Sequence, residues 1–174
     1  MLGTSGEYRV LDVLNTWLEV HATWLNVSRL NRLLRSGTEP APRGFFAAFA
    51  QAQRDPRFRA IAELAPRRRL RLPGLSAPFQ LKRRGEDETF VSTCLVVHRG
   101  FFRRRKEDVA SPAELAKTHP QYRARIEQGP SFRADMWGLL ESAPSVSAAQ
   151  LARATKGSYA TANAVLRDWR IRHP

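Results

Sequence analysis

LARATKGSYATANAVLRDW, residues 151–169, is the stretch from which the rest of the chain can be organised. Leu151 and Ala152 are followed by a polar break at Lys156 and Gly157, then by Ala162, Val165 and Leu166, with Trp169 one turn further on. Apolar residues three and four apart predict a helix on each side of the break. Ser158 stands just before the second run, where a hydroxyl can accept a bond from the orphan N–H groups of a first helical turn. Gly157 is expected to relieve a positive φ in the turn, and Ala152 offers the small side chain that close helix crossing requires. The second helix then has an inner face for packing and an outer one carrying Tyr159, Ala160, Asn163, Ala164 and Arg167.

Working outward, SFRADMWGLLESA (131–143) predicts a supporting helix with Phe132, Met136, Trp137, Leu139 and Leu140 as its apolar set, and SAAQLARAT (147–155) the helix before the break. Residues 112–129 carry helical pattern that Pro120 breaks or restarts. The N-terminal part reads as four helices: 7–20; a short one capped by Asn26 or Ser28 and stopped by Gly37 and Pro40; 42–55, anchored by Phe45, Phe46 and Phe49; and 57–64 after Pro56. Between them, β-formers around 70–72, 79–81 and 89–97, with RRGEDE (83–88) as a loop, predict two or three antiparallel strands. The expected fold is α+β and mainly α: a helical N-terminal half, a small antiparallel hairpin or sheet, and a C-terminal three-helix unit. Gly129-Pro130 is the best boundary, dividing a helical region with a basic hairpin (1–128) from the three-helix unit (129–174).

Charge narrows the partners. The 174 residues hold 29 Lys and Arg against 16 Asp and Glu, a net charge of +13. Residues 67–106 alone contain twelve basic residues and only Glu86, Asp87 and Glu88 against them. A cluster of this kind, rich in arginine forks, suits phosphates. Nucleic acid therefore stands ahead of an anionic membrane or an acidic protein. Lys82, Arg83 and Arg84 in the expected hairpin, and Arg103, Arg104, Arg105 and Lys106 beyond it, are the candidate backbone contacts. Arg29, Arg32 and Arg35, three residues apart on one helix, form either a second basic site or a solvated face.

Residues 129–174 resemble the helix-turn-helix of bacterial transcription regulators: a Leu-Ala pair in the first helix, a tight turn, and a second helix opened by a hydroxyl cap. The resemblance implies that the second helix enters the major groove. Its N-terminal residues, Tyr159, Ala160 and Asn163, with Arg167 further along, would then face base edges. Asn163 can pair bidentately with adenine, and Ala160 can meet a thymine methyl. Arg153, Lys156, Ser158 and Thr161 would touch phosphates. It further implies double-stranded DNA as partner and a homodimer on paired half-sites, with the Phe45, Phe46 and Phe49 helix or the Trp17 and Trp24 region as interface. A small prokaryotic regulator is expected, including an antitoxin-like or defence-associated autoregulator with a toxin or larger complex as protein partner, and the hairpin is a candidate wing.

Other chemistries lack their marks. His21, His98, His119 and His173 show no paired spacing, and the single cysteine, Cys94, allows neither a disulfide within the chain nor a Cys-based zinc site. No phosphate loop, dinucleotide fingerprint or nucleophile elbow is present, so no enzyme, cofactor or metal is expected. No apolar run is long enough to span a bilayer, and MLGTSGEYRVLD lacks the features of a signal peptide. A cytoplasmic protein is expected. Two other classes remain: an accessory subunit of a recombination or defence complex that grips nucleic-acid backbone without reading sequence, and an RNA-binding protein or small ribonuclease. For the last, Arg167 and His173 resemble the Arg-His spacing of some small helical ribonucleases.

Overall fold

A computed structural model describes residues 5–174 of the chain, and side chains from residue 9 onward. The first four residues, and with them the start of the stretch read for a signal peptide, lie outside the described residues. Among the described residues ten α-helices are formed: α1 (Ser5–His21), α2 (Val27–Ser36), α3 (Pro40–Gln53), α4 (Arg59–Ala62), α5 (Pro78–Arg84), α6 (Pro112–Thr118), α7 (Pro120–Gln128), α8 (Phe132–Ser142), α9 (Ala148–Thr155) and α10 (Tyr159–Arg172). Two short strands accompany them, β1 (Leu70–Arg71) and β2 (Leu95–Val96). The fold is thus α+β and mainly α.

Local chemistry sets the helix starts. α3, α5, α6 and α7 each begin at a proline, whose fixed φ and missing N–H suit a first helical position. Asn26 Oδ1 accepts from the Arg29 N–H at 3.0 Å to cap α2. Ser111 with Glu114, and Ser147 with Gln150, form reciprocal capping boxes on α6 and α9.

The β region departs from expectation. Leu70 pairs with Leu95 and Arg71 with Val96 in parallel, which replaces the antiparallel hairpin. Residues 79–81, expected as a strand, lie in α5. Pro78 opens that helix, and Lys82, Arg83 and Arg84 stand in its last turn, where cations favour the exposed carbonyls. Gly85 then ends it at φ 76°. The expected long strand over 89–97 is mostly turns, because Asp87 draws the chain round: its side chain accepts from the Thr89 N–H, and its carbonyl from the Phe90 and Val91 N–H groups. All that persists of a hairpin is one antiparallel bridge between Glu86 and His98.

The chain groups into two compact units, residues 1–19 with 34–109, and residues 20–33 with 110–174. Gly129-Pro130, read as a boundary, lies inside the second unit, in the link between α7 and α8. The first unit is built on aromatic packing: Phe45, Phe49, Phe58 and Phe90 are essentially fully buried, and Phe102 meets both Phe45 and Phe90. Phe45 and Phe49, two of the three residues of the helix offered for a dimer interface, are thus core residues of this unit, and Phe46 is half-buried. Gly44 lets α3 approach β1, since a Cβ there would sit 2.6 Å from Leu70 Cδ2. Arg69 ties the strand region together, pairing with Glu86 at 2.7 Å and donating to the carbonyls of Thr93 and Leu95.

The second unit has Met136, Leu140, Leu151, Ala162 and Val165 at its centre, all fully buried, with α8, α9 and α10 around them. α7 lies so close along α8 that a Cβ on Gly138 would overlap the backbone of Gln121. Residues 20–33 complete this unit. His21 is buried, with Nδ1 2.6 Å from the Tyr122 hydroxyl and Nε2 3.1 Å from the Ala110 carbonyl.

Candidate nucleic-acid interface

α9 and α10 are joined by Lys156, Gly157 and Ser158 alone. The left-handed residue of this turn is Lys156, at φ 58°, and not Gly157 as expected. Glycine at 157 instead gives space: a Cβ there would run into the terminal methyl of Met136, the flexible end of a side chain. Thr155, at the end of α9, is fully buried and donates its hydroxyl to the Leu151 carbonyl at 2.8 Å. Its polar atom is satisfied within its own helix.

Ser158 caps α10 by accepting from the Thr161 N–H at 3.0 Å, and its hydroxyl lies 2.7 Å from that of Thr161. Ala162, Val165 and Leu166 face inward. On the outer side Tyr159 is 60% exposed, and Ala160, Asn163 and Arg167 are exposed as well. Arg153 and Lys156 are exposed on the neighbouring helix end and turn. The four residues expected to face base edges and the two cations expected beside them therefore belong to one unit. Arg167 approaches Asp168 at 3.3 Å, while Arg133 holds the same carboxylate at 2.9 Å and, chiefly through that bond, keeps it below the usual carboxylate range.

The turn is held from behind by α2. Arg29 donates to the Ala154 carbonyl at 3.1 Å and Arg32 to the Lys156 carbonyl, so two guanidinium groups occupy acceptors at the end of α9. Arg29 also pairs at 3.1 Å with Asp135, a fully buried carboxylate that accepts from Asn26 and Arg125 as well. Arg32 lies over the Phe132 ring, 4.6 Å from its centre. These two arginines, read as a possible basic site, are occupied within the fold. Asp135, an acid on the apolar run of α8, is of these two the partner of Arg29 alone, and nothing local in the sequence ties it to a helix more than a hundred residues away.

The central basic residues divide in the same way. Lys82, Arg83, Arg84, Arg103, Arg105 and Lys106 are exposed. Arg104 instead pairs with Glu19 at 3.2 Å and Asp87 at 3.4 Å and donates to the Thr89 hydroxyl at 2.6 Å. Lys82, Arg83 and Arg84 sit on a helix and not on a hairpin, so the expected wing is not formed there.

The features weighed for other chemistry have structural partners. His173 stacks on Trp169 with centroids 3.9 Å apart, while Arg167 turns to Asp168. Cys94 is buried, its thiol pKa pushed up by burial, and lies 3.4 Å from the Gly44 carbonyl. Among the described residues no three His, Cys, Asp or Glu side chains are grouped to hold a metal, and no helix is long and apolar enough to cross a membrane. Compared with known proteins, the chain matches no family model, and no curated protein or solved structure matches it.

Proposed function

We propose that the chain is a DNA-binding protein, a small cytoplasmic transcription regulator of the prokaryotic type that reads double-stranded DNA through α10 and acts as a homodimer, without catalytic activity of its own. The observation that carries this reading is the division of α10. Ala162, Val165 and Leu166 are buried, whereas Tyr159, Ala160, Asn163 and Arg167 stand exposed near a capped N-terminus, beside Arg153 and Lys156. In the proposed complex Tyr159, Ala160, Asn163 and Arg167 meet base edges, and Arg153 and Lys156 grip phosphates. Ser158 and Thr161 act mainly through the cap that orients the helix. The exposed Lys82, Arg83, Arg84 and Lys106 add attraction that does not depend on sequence.

The test is an anisotropy titration against the DNA upstream of the protein's own coding sequence, scrambled duplex and single-stranded RNA, over a salt series. Specific regulation requires a preference for the upstream duplex of roughly a thousandfold or more at physiological salt. Asn163→Ala should remove about 1–3 kcal/mol of that preference while leaving scrambled duplex unaffected. Equal binding to all three probes with a steep common salt slope would overturn specific reading in favour of a backbone-gripping accessory subunit.

A further inference from the structure

Within the first unit, a cleft of about 770 Å³ opens between α1 and the loop of residues 98–108. Three arginines line it, Arg9, Arg103 and Arg105, together with Asp12, Asp108 and Phe101. None of the three guanidinium groups has a carboxylate within ion-pair distance among the described residues. That sets them apart from Arg69, Arg99 and Arg104, all of which are paired.

The loop backbone that carries Arg103 and Arg105 is fixed at two points. Arg104 adopts φ 52°, a strained conformation for a residue with a side chain, and is fixed there by Glu19, Asp87 and Thr89. The backbone N–H of Arg103 donates to Asp12 Oδ1 at 2.7 Å, which ties the loop to α1. The chain is thus clamped at 103 and 104, while the side chains of 103 and 105 are left to the cleft. Such prior ordering lowers the entropic cost of binding.

We infer that this cleft is a binding site for a small phosphomonoester of mononucleotide size. A phosphomonoester carries nearly two negative charges near neutral pH and offers three acceptor oxygens, which suits several unpaired arginine forks. The volume lies within the range of small-molecule sites. Asp12 and Asp108 in the lining disfavour the continuous anionic backbone of a nucleic acid, yet they are acceptors for ligand hydroxyl and amino groups. The half-buried Phe101 ring offers a face for a base. None of its lining residues belongs to α10, and the site stands independently of the DNA-binding reading.

Calorimetric titration of the full chain with adenosine 5′-monophosphate, guanosine 5′-monophosphate and adenosine tests it. One equivalent of at least one nucleotide should bind with a Kd below about 1 mM, and adenosine about tenfold or more weaker. The exposed, unpaired Arg103 and Arg105 make R103Q/R105Q a variant expected to fold, as checked by its melting curve, and to lose about tenfold or more in nucleotide affinity. Arg9→Gln should weaken binding in the same direction, and Asn163→Ala should leave it unchanged. No heat from either nucleotide, adenosine binding as well as the nucleotides, or unaltered affinity in R103Q/R105Q would overturn the site. If nucleotides fail to bind while R103Q/R105Q loses affinity for scrambled duplex, the arginines are nucleic-acid contacts and the proposal is wrong.

Discussion

Gly138 and Gly157 are conserving space and not conformation, and the two should respond unequally to a methyl group. At Gly157 the obstacle is the flexible end of Met136, but at Gly138 it is the backbone of Gln121 and Pro120, which cannot turn aside. Gly157→Ala should cost about 1 kcal/mol and Gly138→Ala about 3 kcal/mol or more, as overpacking without and with backbone displacement; urea midpoints of the two variants measure the difference. His21 gives a second prediction. The Ala110 carbonyl can only accept, so Nε2 carries the proton and Nδ1 accepts from Tyr122. Burial lowers the His21 pKa below its ordinary 6.5. The unfolded chain therefore binds the extra proton first, and stability falls as pH drops below about 6.5 and on through the lower folded value. Asp55, Glu114 and Asp168, all lowered, act in a separate, more acid window. Denaturation at pH 7 and pH 5 should show a smaller acid loss in His21→Gln than in the parent chain. Caps such as Asn26 and Ser158 were legible in the sequence because their bonds are local. The role of Gly157 was misassigned because its obstacle, Met136, lies on another helix.

Among the elements, α2 has the least obvious task. Its arginines look like a solvated basic stripe, but two of them close the carbonyl end of α9 and so help set the direction in which α10 leaves the turn. Arg32→Ala should leave the chain folded, since Phe132 and the α8 cluster remain, yet speed amide hydrogen exchange at Gly157 and in the first turn of α10. Unchanged exchange there would mean that the turn holds itself. Helices with regular apolar spacing and clear caps, α8 to α10 above all, were read nearly to the residue. α5 was not, because Phe79, Gln80 and Leu81 are equally at home in a strand and a helix, and only Pro78 and the closing Gly85 decide between them. The 89–97 segment failed for a related reason: its β-forming composition yields to the acceptors of Asp87 two to four residues earlier.

Across the whole molecule, the second unit is discontinuous: residues 20–33 belong with 110–174. A fragment of residues 110–174 would leave Asp135 without Asn26 and Arg29, and Tyr122 without His21. Because stripping partners from a buried charge costs about 3–5 kcal/mol, this fragment should lack a cooperative melt, and a peptide of residues 20–33 added in trans should restore one, as followed by circular dichroism. Composition and periodicity could give the class of the fold but not this pairing, which joins residues as far apart as Asn26 and Asp135, 109 positions distant.

That separation also orders events during synthesis. The ribosome delivers Asn26 and Arg29 long before Asp135, at roughly 5–20 residues per second, so several seconds pass in which these groups wait without their acceptor. A chain that stops before Asp135, at a nonsense codon or a stalled ribosome, lacks the acceptor of Asn26 and Arg29 and cannot close the second unit. Only a polypeptide translated through α10 acquires the exposed row of Tyr159, Ala160, Asn163 and Arg167 to which the proposed function assigns DNA.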